Sequence, residues 1–470
     1  MLRSAPPAAL GDPIQTNHMN GKSTHKGLGS QVLVPSRLLL AGAVAFGPLA
    51  LPVLANGEAS EAAAALNAAR QEEAEAESVS EFRQAMIGGK WWLKLRYRFE
   101  NVDQANLANK SNASTLRTVL GYETADYNGF RALVEFEDVS VIGDENAYRS
   151  PVNGVPATGP DARPMVADPK GTEVNRVFLG YRGITDTDLR VGRRRIKLDN
   201  DRFIGNVGWR QNEQTFDALT GEYSNENLGF FYGYVDHVNR VTGDQSASGN
   251  VRMGSHLINA SYNWDNLGKL SVYGYLLDYT YAAASSTSTY GARFAGKNKH
   301  DSWALSYEAE YATQSDYADN TNDVDVDYMH GSLGYHNSGF TVQAGYESLG
   351  GTNSMNQLEA FQTPLATGHK FNGWADKFLI TPVGGLDDVY GKLAYSYQDG
   401  KGSIALVYHQ FSQETGGGDY GNEIDAVWGH KLNADLSVGI KYADYSADDA
   451  ATGGQAIDTS KGWLWAAYSF

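Results

Sequence analysis

The sequence predicts an all-β fold: a transmembrane antiparallel β-barrel of about 18 strands, preceded by a signal peptide and a short helical segment. Three observations predict it. The chain closes on Gly462-Trp463-Leu464-Trp465-Ala466-Ala467-Tyr468-Ser469-Phe470, in which Leu464, Ala466, Tyr468 and Phe470 share one parity of an extended strand. Near the other end, Arg37 precedes an apolar run from Leu38 to Leu54, and Val53-Leu54-Ala55 fits a small-residue cleavage site. Between them, from Lys90 onward, apolar and polar residues alternate with period two, and charges fall in the middle of the polar parity.

The elements follow in order. Residues 1–55 are expected to be a secretory signal peptide; Met19 is the more natural start, which makes 1–18 an expected start-site artefact. Gly21-Lys22-Ser23 echoes a phosphate-binding loop, but Thr16 stands where its first glycine should be. Residues 56–87, rich in Ala and Glu, are expected to form an acidic periplasmic helix ended by Gly88-Gly89. A trimerising coiled coil is the alternative, and only Leu66 and scattered Ala are available for its seam.

The barrel is expected over 88–470. Leu93, Leu95, Tyr97 and Phe99 oppose Lys94, Arg96, Arg98 and Glu100. Phe130 and Phe136 oppose Arg131, Glu135 and Glu137, and Tyr420, Ile424 and Trp428 frame Glu423 and Asp425. Mid-strand charges suit a watery lumen and not the packed interior of a sandwich. The two long connections, roughly 141–171 and 350–386, both follow odd-numbered strands and are expected outside the cell, at least one of them folding inward.

Composition narrows the function. There is no cysteine in 470 residues, so disulfides and thiol chemistry are out. A mean hydropathy of −0.41, with no second long apolar run, speaks against a helical membrane protein. Whole-chain net charge is −17, and the first 55 residues carry four basic and one acidic residue, which leaves the remainder near −20 and argues against nucleic acid.

Several runs carry a family likeness. They are Leu95-Arg96-Tyr97-Arg98-Phe99-Glu100, Leu116-Arg117-Thr118-Val119-Leu120-Gly121-Tyr122, Gly192-Arg193-Arg194-Arg195-Ile196, Gly208 to Asp217, and Phe361 to Lys377. Together they resemble the alginate-export family of bacterial outer-membrane β-barrel porins. The resemblance implies a monomeric eighteen-stranded barrel in the outer membrane of a Gram-negative bacterium, passing an anionic solute, which in the founding members is an uronate polysaccharide. It also implies that Phe470 is read by the barrel assembly machinery.

Basic residues are uneven: 19 Lys and Arg lie between Lys90 and Arg210, against 13 in the longer stretch from Gln211 to Phe470. Lys94, Arg96, Arg98, Arg117, Arg131, Arg176, Arg182 and Arg194 are expected to line the pore, either as a ladder handing carboxylates along or as Arg–Glu pairs that stiffen the wall. Arg193 and Arg195 are expected at the extracellular rim. His369, Lys370, Trp374 and Asp376 offer solute contacts in the second long loop, Trp374 as a platform for sugar rings or as a packing anchor. Asp323 to Asp327 resembles the start of a calcium loop, but Met329 occupies its glycine position, and a strand with an acidic lumen or rim face is preferred. No metal or other cofactor and no catalytic residues are expected. The resulting expectation is a passive channel for anionic, carbohydrate-like or carboxylate solutes. The alternatives are a general, weakly cation-preferring porin and a barrel enzyme acting on lipid or surface sugar.

Overall fold

The computed structural model describes residues 58–470; the expected signal peptide and start site lie outside the described residues. Two compact units divide at Arg83 and Gln84. Helix α1 (Glu58–Ile87) lies mostly in the first. Its side chains from Ala64 to Gln84 are exposed, with no continuous apolar stripe, as expected of an Ala- and Glu-rich segment. No described helix is long and apolar enough to cross a membrane.

The second unit holds eighteen strands: β1 (Lys90–Gln104), β2 (Ser111–Glu123), β3 (Phe130–Val141), β4 (Gly171–Tyr181), β5 (Thr187–Arg194), β6 (Thr215–Ser224), β7 (Leu228–Asn239), β8 (Asn250–Trp264) and β9 (Gly268–Leu277). They continue with β10 (Thr287–Lys299), β11 (Trp303–Asp316), β12 (Asp325–Asn337), β13 (Phe340–Leu349), β14 (Leu386–Tyr397), β15 (Gly402–Ser412), β16 (Asp419–Lys431), β17 (Leu436–Ala447) and β18 (Thr459–Ser469). Each pairs antiparallel with its sequence neighbour, and β1 pairs with β18, with Leu95 opposite Tyr468 and Gln104 opposite Thr459. Closure leaves no sheet edge, so every strand N–H and C=O can be paired inside lipid. Phe470 completes the seam by exchanging backbone hydrogen bonds with Leu93 at 2.8 and 3.1 Å.

Even-to-odd connections are short; the β12–β13 turn is Ser338-Gly339, both at positive φ (48° and 87°), the conformation of a two-residue hairpin. Most odd-to-even connections are longer, those after β3, β5 and β13 by far, which places this set on the extracellular side. The expected parity holds on the outer face: Leu120, Phe130, Phe136, Phe340, Val342, Ile424, Ile440 and Leu464 are all exposed. One assignment does not hold. Tyr420 points inward, buried, with its hydroxyl on the Gly385 carbonyl at 3.0 Å, because a bulge at Phe411/Ser412 and Gly421 at φ 134° reset the parity between it and Ile424. Of the two faces expected for the acidic run, the lumen one does not hold: Asp325 and Asp327, at the extracellular end of β12, are exposed on its outward parity, where Asp327 accepts from Tyr311 at 2.8 Å.

The buried apolar core lies inside the barrel. Phe203 and Ile204 from the β5–β6 loop, and Phe361, Leu365 and Phe378 from the β13–β14 loop, pack on inward-facing Tyr273, Tyr275, Tyr328, Phe411, Tyr445 and Trp463. A smaller cluster sets Tyr148 and Val166 of the β3–β4 loop on Val102 and Ala113. Both long loops expected from the sequence therefore fold inward. The β5–β6 loop, which the sequence reading did not single out, folds inward with them.

Candidate functional site

The lumen site starts from the arginine-dense wall of β1 to β5. Trp91, Leu93 and Leu95 face lipid on β1, so Trp92, Lys94, Arg96, Arg98 and Glu100 point inward. Lys94 is exposed to the lumen, and among the described residues it has no ion-pair partner. Arg96 donates to the Gln211 side chain at 2.9 Å and to the carbonyls of Gly208 (3.0 Å) and Arg210. Arg98 is buried, paired with Asp168, bonded to the Trp209 carbonyl and stacked 5.0 Å from the Trp209 ring. Arg117 meets Glu137 and, at 3.1 Å, Glu213. Arg131 meets Glu123 and Asp188 (2.7 Å).

On β4 a bulge sets Asn175 and Arg176 together against Glu135, at 2.9 and 2.7 Å. Arg182 is not on a strand: it lies in the turn after β4, half-exposed and paired with Asp188 at 2.9 Å. Arg194, the last residue of β5, is buried against Thr220 (2.6 Å) and Glu222 (2.5 Å). Arg195 departs from its expected rim position. Because β5 stops at Arg194, the chain turns into the lumen, where Arg195 pairs with Glu213 and, at 3.0 Å, Glu135. Arg193 keeps the outward parity, neutralised there by Asp217 at 2.7 Å.

The β5–β6 loop crosses the lumen. Asn200 reaches Glu308 on β11 at 3.0 Å, Asp199 accepts from Ser271 on β9 at 2.5 Å, and Arg202 pairs with Glu347 on β13 at 2.6 Å. It docks on the β13–β14 loop through Gly205 N–H to Leu365 O (2.9 Å), Thr367 N–H to Asp201 O (3.0 Å) and Arg210 to Asp376 (3.1 Å). Val207 sits at φ 51°, an uncommon conformation for a β-branched residue; its N–H donates to Thr367 Oγ1 at 3.2 Å.

The four residues expected in the second long loop are brought together. Asp376 is buried between Arg210, Lys461 (2.7 Å) and His369 (2.7 Å). Burial alone would raise its pKa; the surrounding His369, Lys461 and Arg210 outweigh burial and hold the carboxyl well below the usual range. Burial keeps His369 neutral, with its pKa lowered to about 3. Its ring stacks on Trp209 at 4.9 Å and its Nε2 meets Lys441 Nζ at 2.8 Å. Trp374 packs on that same Lys441 amine, 3.8 Å from the ring centroid, and donates its backbone N–H to Asp425 at 3.2 Å, so it is an anchor of the loop. Of the four, only Lys370 reaches open space, bonded to the Asn200 carbonyl at 2.7 Å.

Residues missed from sequence are Asp168, Arg202, Trp209, Arg210 and Glu213, which tie wall to loops. Their legible signal was the loss of period two after Arg194, with charge on both parities through Asp201. Among the described residues no group of three or more His, Asp or Glu side chains is placed to hold a metal.

A family model described as alginate export matches residues 90–381. No curated protein matches the chain. Among solved structures, Pseudomonas aeruginosa OccK9 (OpdG) is similar in fold, with a TM-score of 0.63 at 13% identity over 82% of this chain and 99% of its own. Acinetobacter baumannii OccAB4 gives 0.61 at 14% over 81% and 97%, and Pseudomonas aeruginosa OpdK with vanillate gives 0.59 at 13% over 82% and 99%.

Proposed function

The chain belongs to the alginate-export family of outer-membrane β-barrel porins, and from that membership we propose that it is a passive channel selective for anionic, carbohydrate-like or carboxylate solutes. The observation that carries the proposal is the wall of β1 to β5, where arginines are concentrated directly against the loops that fold into the lumen. Carboxylate partners fix Arg98, Arg117 and Arg195 in place and lower the cost of holding them away from water, while Arg96 is held by the Gln211 side chain and two backbone carbonyls. Lys94, facing the lumen with no ion-pair partner among the described residues, adds a further cation to the same wall. Solute moves down its own gradient, consistent with an export family and a chain without a nucleotide-binding motif. The outer belt contacts outer-membrane lipid as a monomer, and Phe470 engages the assembly machinery. The 56–87 segment acts as an acidic periplasmic linker that follows cleavage of the signal peptide.

One observation favours a second reading, a weakly cation-preferring general porin: Arg98, Arg117, Arg131, Arg176 and Arg194 all meet carboxylates, and the net charge is −17. Reversal potential under a salt gradient in a planar bilayer separates the two. The anionic reading expects anion preference that collapses in the combined variant Arg96→Ala, Arg117→Ala, Arg131→Ala. Cation preference unaltered by those substitutions would sink it.

A further inference from the structure

On the wall opposite the arginines, five inward positions lie in one row. Register places Lys297 of β10 opposite Ser306 of β11, Ser306 opposite Gly334 of β12, Gly334 opposite Gln343 of β13, and Gln343 opposite Lys392 of β14. The flanking Leu333, Tyr335, Val342 and Leu393 are exposed on the lipid side, so this parity faces the lumen. We infer that this row is a solute-binding subsite for an extended, hydroxyl-bearing molecule with more than one carboxylate, its ends held by Lys297 and Lys392. The inference rests on the anionic reading and names its substrate class.

Three features support it. First, Arg98, Arg117, Arg131 and Arg176 of the other wall are occupied by carboxylates, whereas among the described residues Lys297, Lys299 and Lys392 have no ion-pair partner. The carboxylate one step up the wall, Glu308, is already engaged by Arg293 at 2.7 Å and Asn200 at 3.0 Å. Second, the middle of the row suits hydroxyl groups. Ser306 meets His336 Nε2 at 2.8 Å, His336 Nδ1 meets Thr341 at 2.9 Å, and Gln343 donates to Ser332 at 3.3 Å, its carbonyl oxygen having no hydrogen-bond donor among the described residues. Gly334 lets the Ser306 hydroxyl lie close against the backbone of β12, since a Cβ there would come within 2.5 Å of the Ser306 oxygen. Third, spacing favours length. The two lysine Cα positions are four strand spacings apart, about 19 Å along the wall, too far for both amines to serve a compact monoanion. The row lies just to the periplasmic side of the point where Asn200 touches Glu308, so a solute held there waits beside the loops.

Three six-carbon probes test this by current blockade of the full chain in a bilayer: glucarate with two carboxylates, gluconate with one, and sorbitol with none. Glucarate should dwell longer than gluconate, and sorbitol should not block. In Lys297→Gln, Lys392→Gln the glucarate dwell should fall about tenfold or more, the factor one charge-assisted contact supports, with recovery in Lys297→Arg, Lys392→Arg. The variant Lys110→Gln, Lys170→Gln removes the same charge from extracellular loops and should leave glucarate dwell unchanged. An anion-preferring channel whose glucarate dwell ignores Lys297 and Lys392 would overturn the subsite alone. A wild-type channel without anion preference would overturn the anionic reading and the subsite with it.

Discussion

Asp376 and His369 show how much of the lumen structure hangs on single side chains. Asp376 compensates two buried cations from different elements, Lys461 of the wall and Arg210 of one loop, which also pairs with Glu100 at 2.9 Å, so Asp376→Asn leaves Lys461 facing a neutral amide. Breaking a buried pair in this way typically costs about 3–5 kcal/mol. The expected result is faster amide exchange in 199–212 and 365–378 with the barrel strands still protected. His369 sets the pH dependence. Its pKa is depressed to about 3 by burial, so its contribution to docking is full above the unfolded value of about 6.5 and is lost as pH falls toward the folded value. Asp376, also depressed, adds loss in the same direction only below about pH 4. Exchange in the two loops, corrected for the intrinsic rate, should therefore rise from pH 7.5 to pH 5 in the native chain. In His369→Gln that rise should flatten; an equal rise there would place the titrating group elsewhere.

At the scale of elements, the docked loops act as one body because their backbones touch. A Cβ on Gly205 would lie 2.2 Å from Thr367 Oγ1, so Gly205→Val forces the β5–β6 and β13–β14 loops apart. Overpacking of this kind typically costs about 1–3 kcal/mol, and the expected readout is a larger, noisier unitary conductance. An unchanged conductance would mean that the loop contact does not limit the pore. The strands and their faces were legible in the sequence because a closed barrel imposes period two on every spanning segment, as Phe130 to Glu137 shows directly. The inward course of 195–214 was not legible. Nothing local in Asp199, Arg202 or Trp209 says which of eighteen strands each will meet, and those partners lie far along the chain, 145 residues for Arg202 to Glu347 and 256 for Trp209 to Trp465. The same limit separates Arg96 from Arg182: both are arginines near strand segments, yet only the first faces the lumen wall, the second lying past the end of β4.

For the whole molecule, a net charge of −17 and an arginine-rich wall are compatible because screening confines each to its surroundings. At about 0.1 M salt the Debye length is about 10 Å, so exposed acids on the outer rim contribute little at the constriction. Guanidinium–carboxylate pairs lie on one side of the lumen and, on the other, Lys297 and Lys392 have no ion-pair partner among the described residues. Closure through β1 and β18 should make the barrel resist detergent, and unheated protein is expected to migrate faster in gel electrophoresis than boiled protein. The central claim is that charge, more than size, decides what passes. Liposomes bearing the full chain, swollen in isosmotic gluconate or in isosmotic sorbitol, test it most directly, since the two solutes are similar in size and differ in one carboxylate. Faster swelling in gluconate is the predicted result; equal or faster swelling in sorbitol would contradict it.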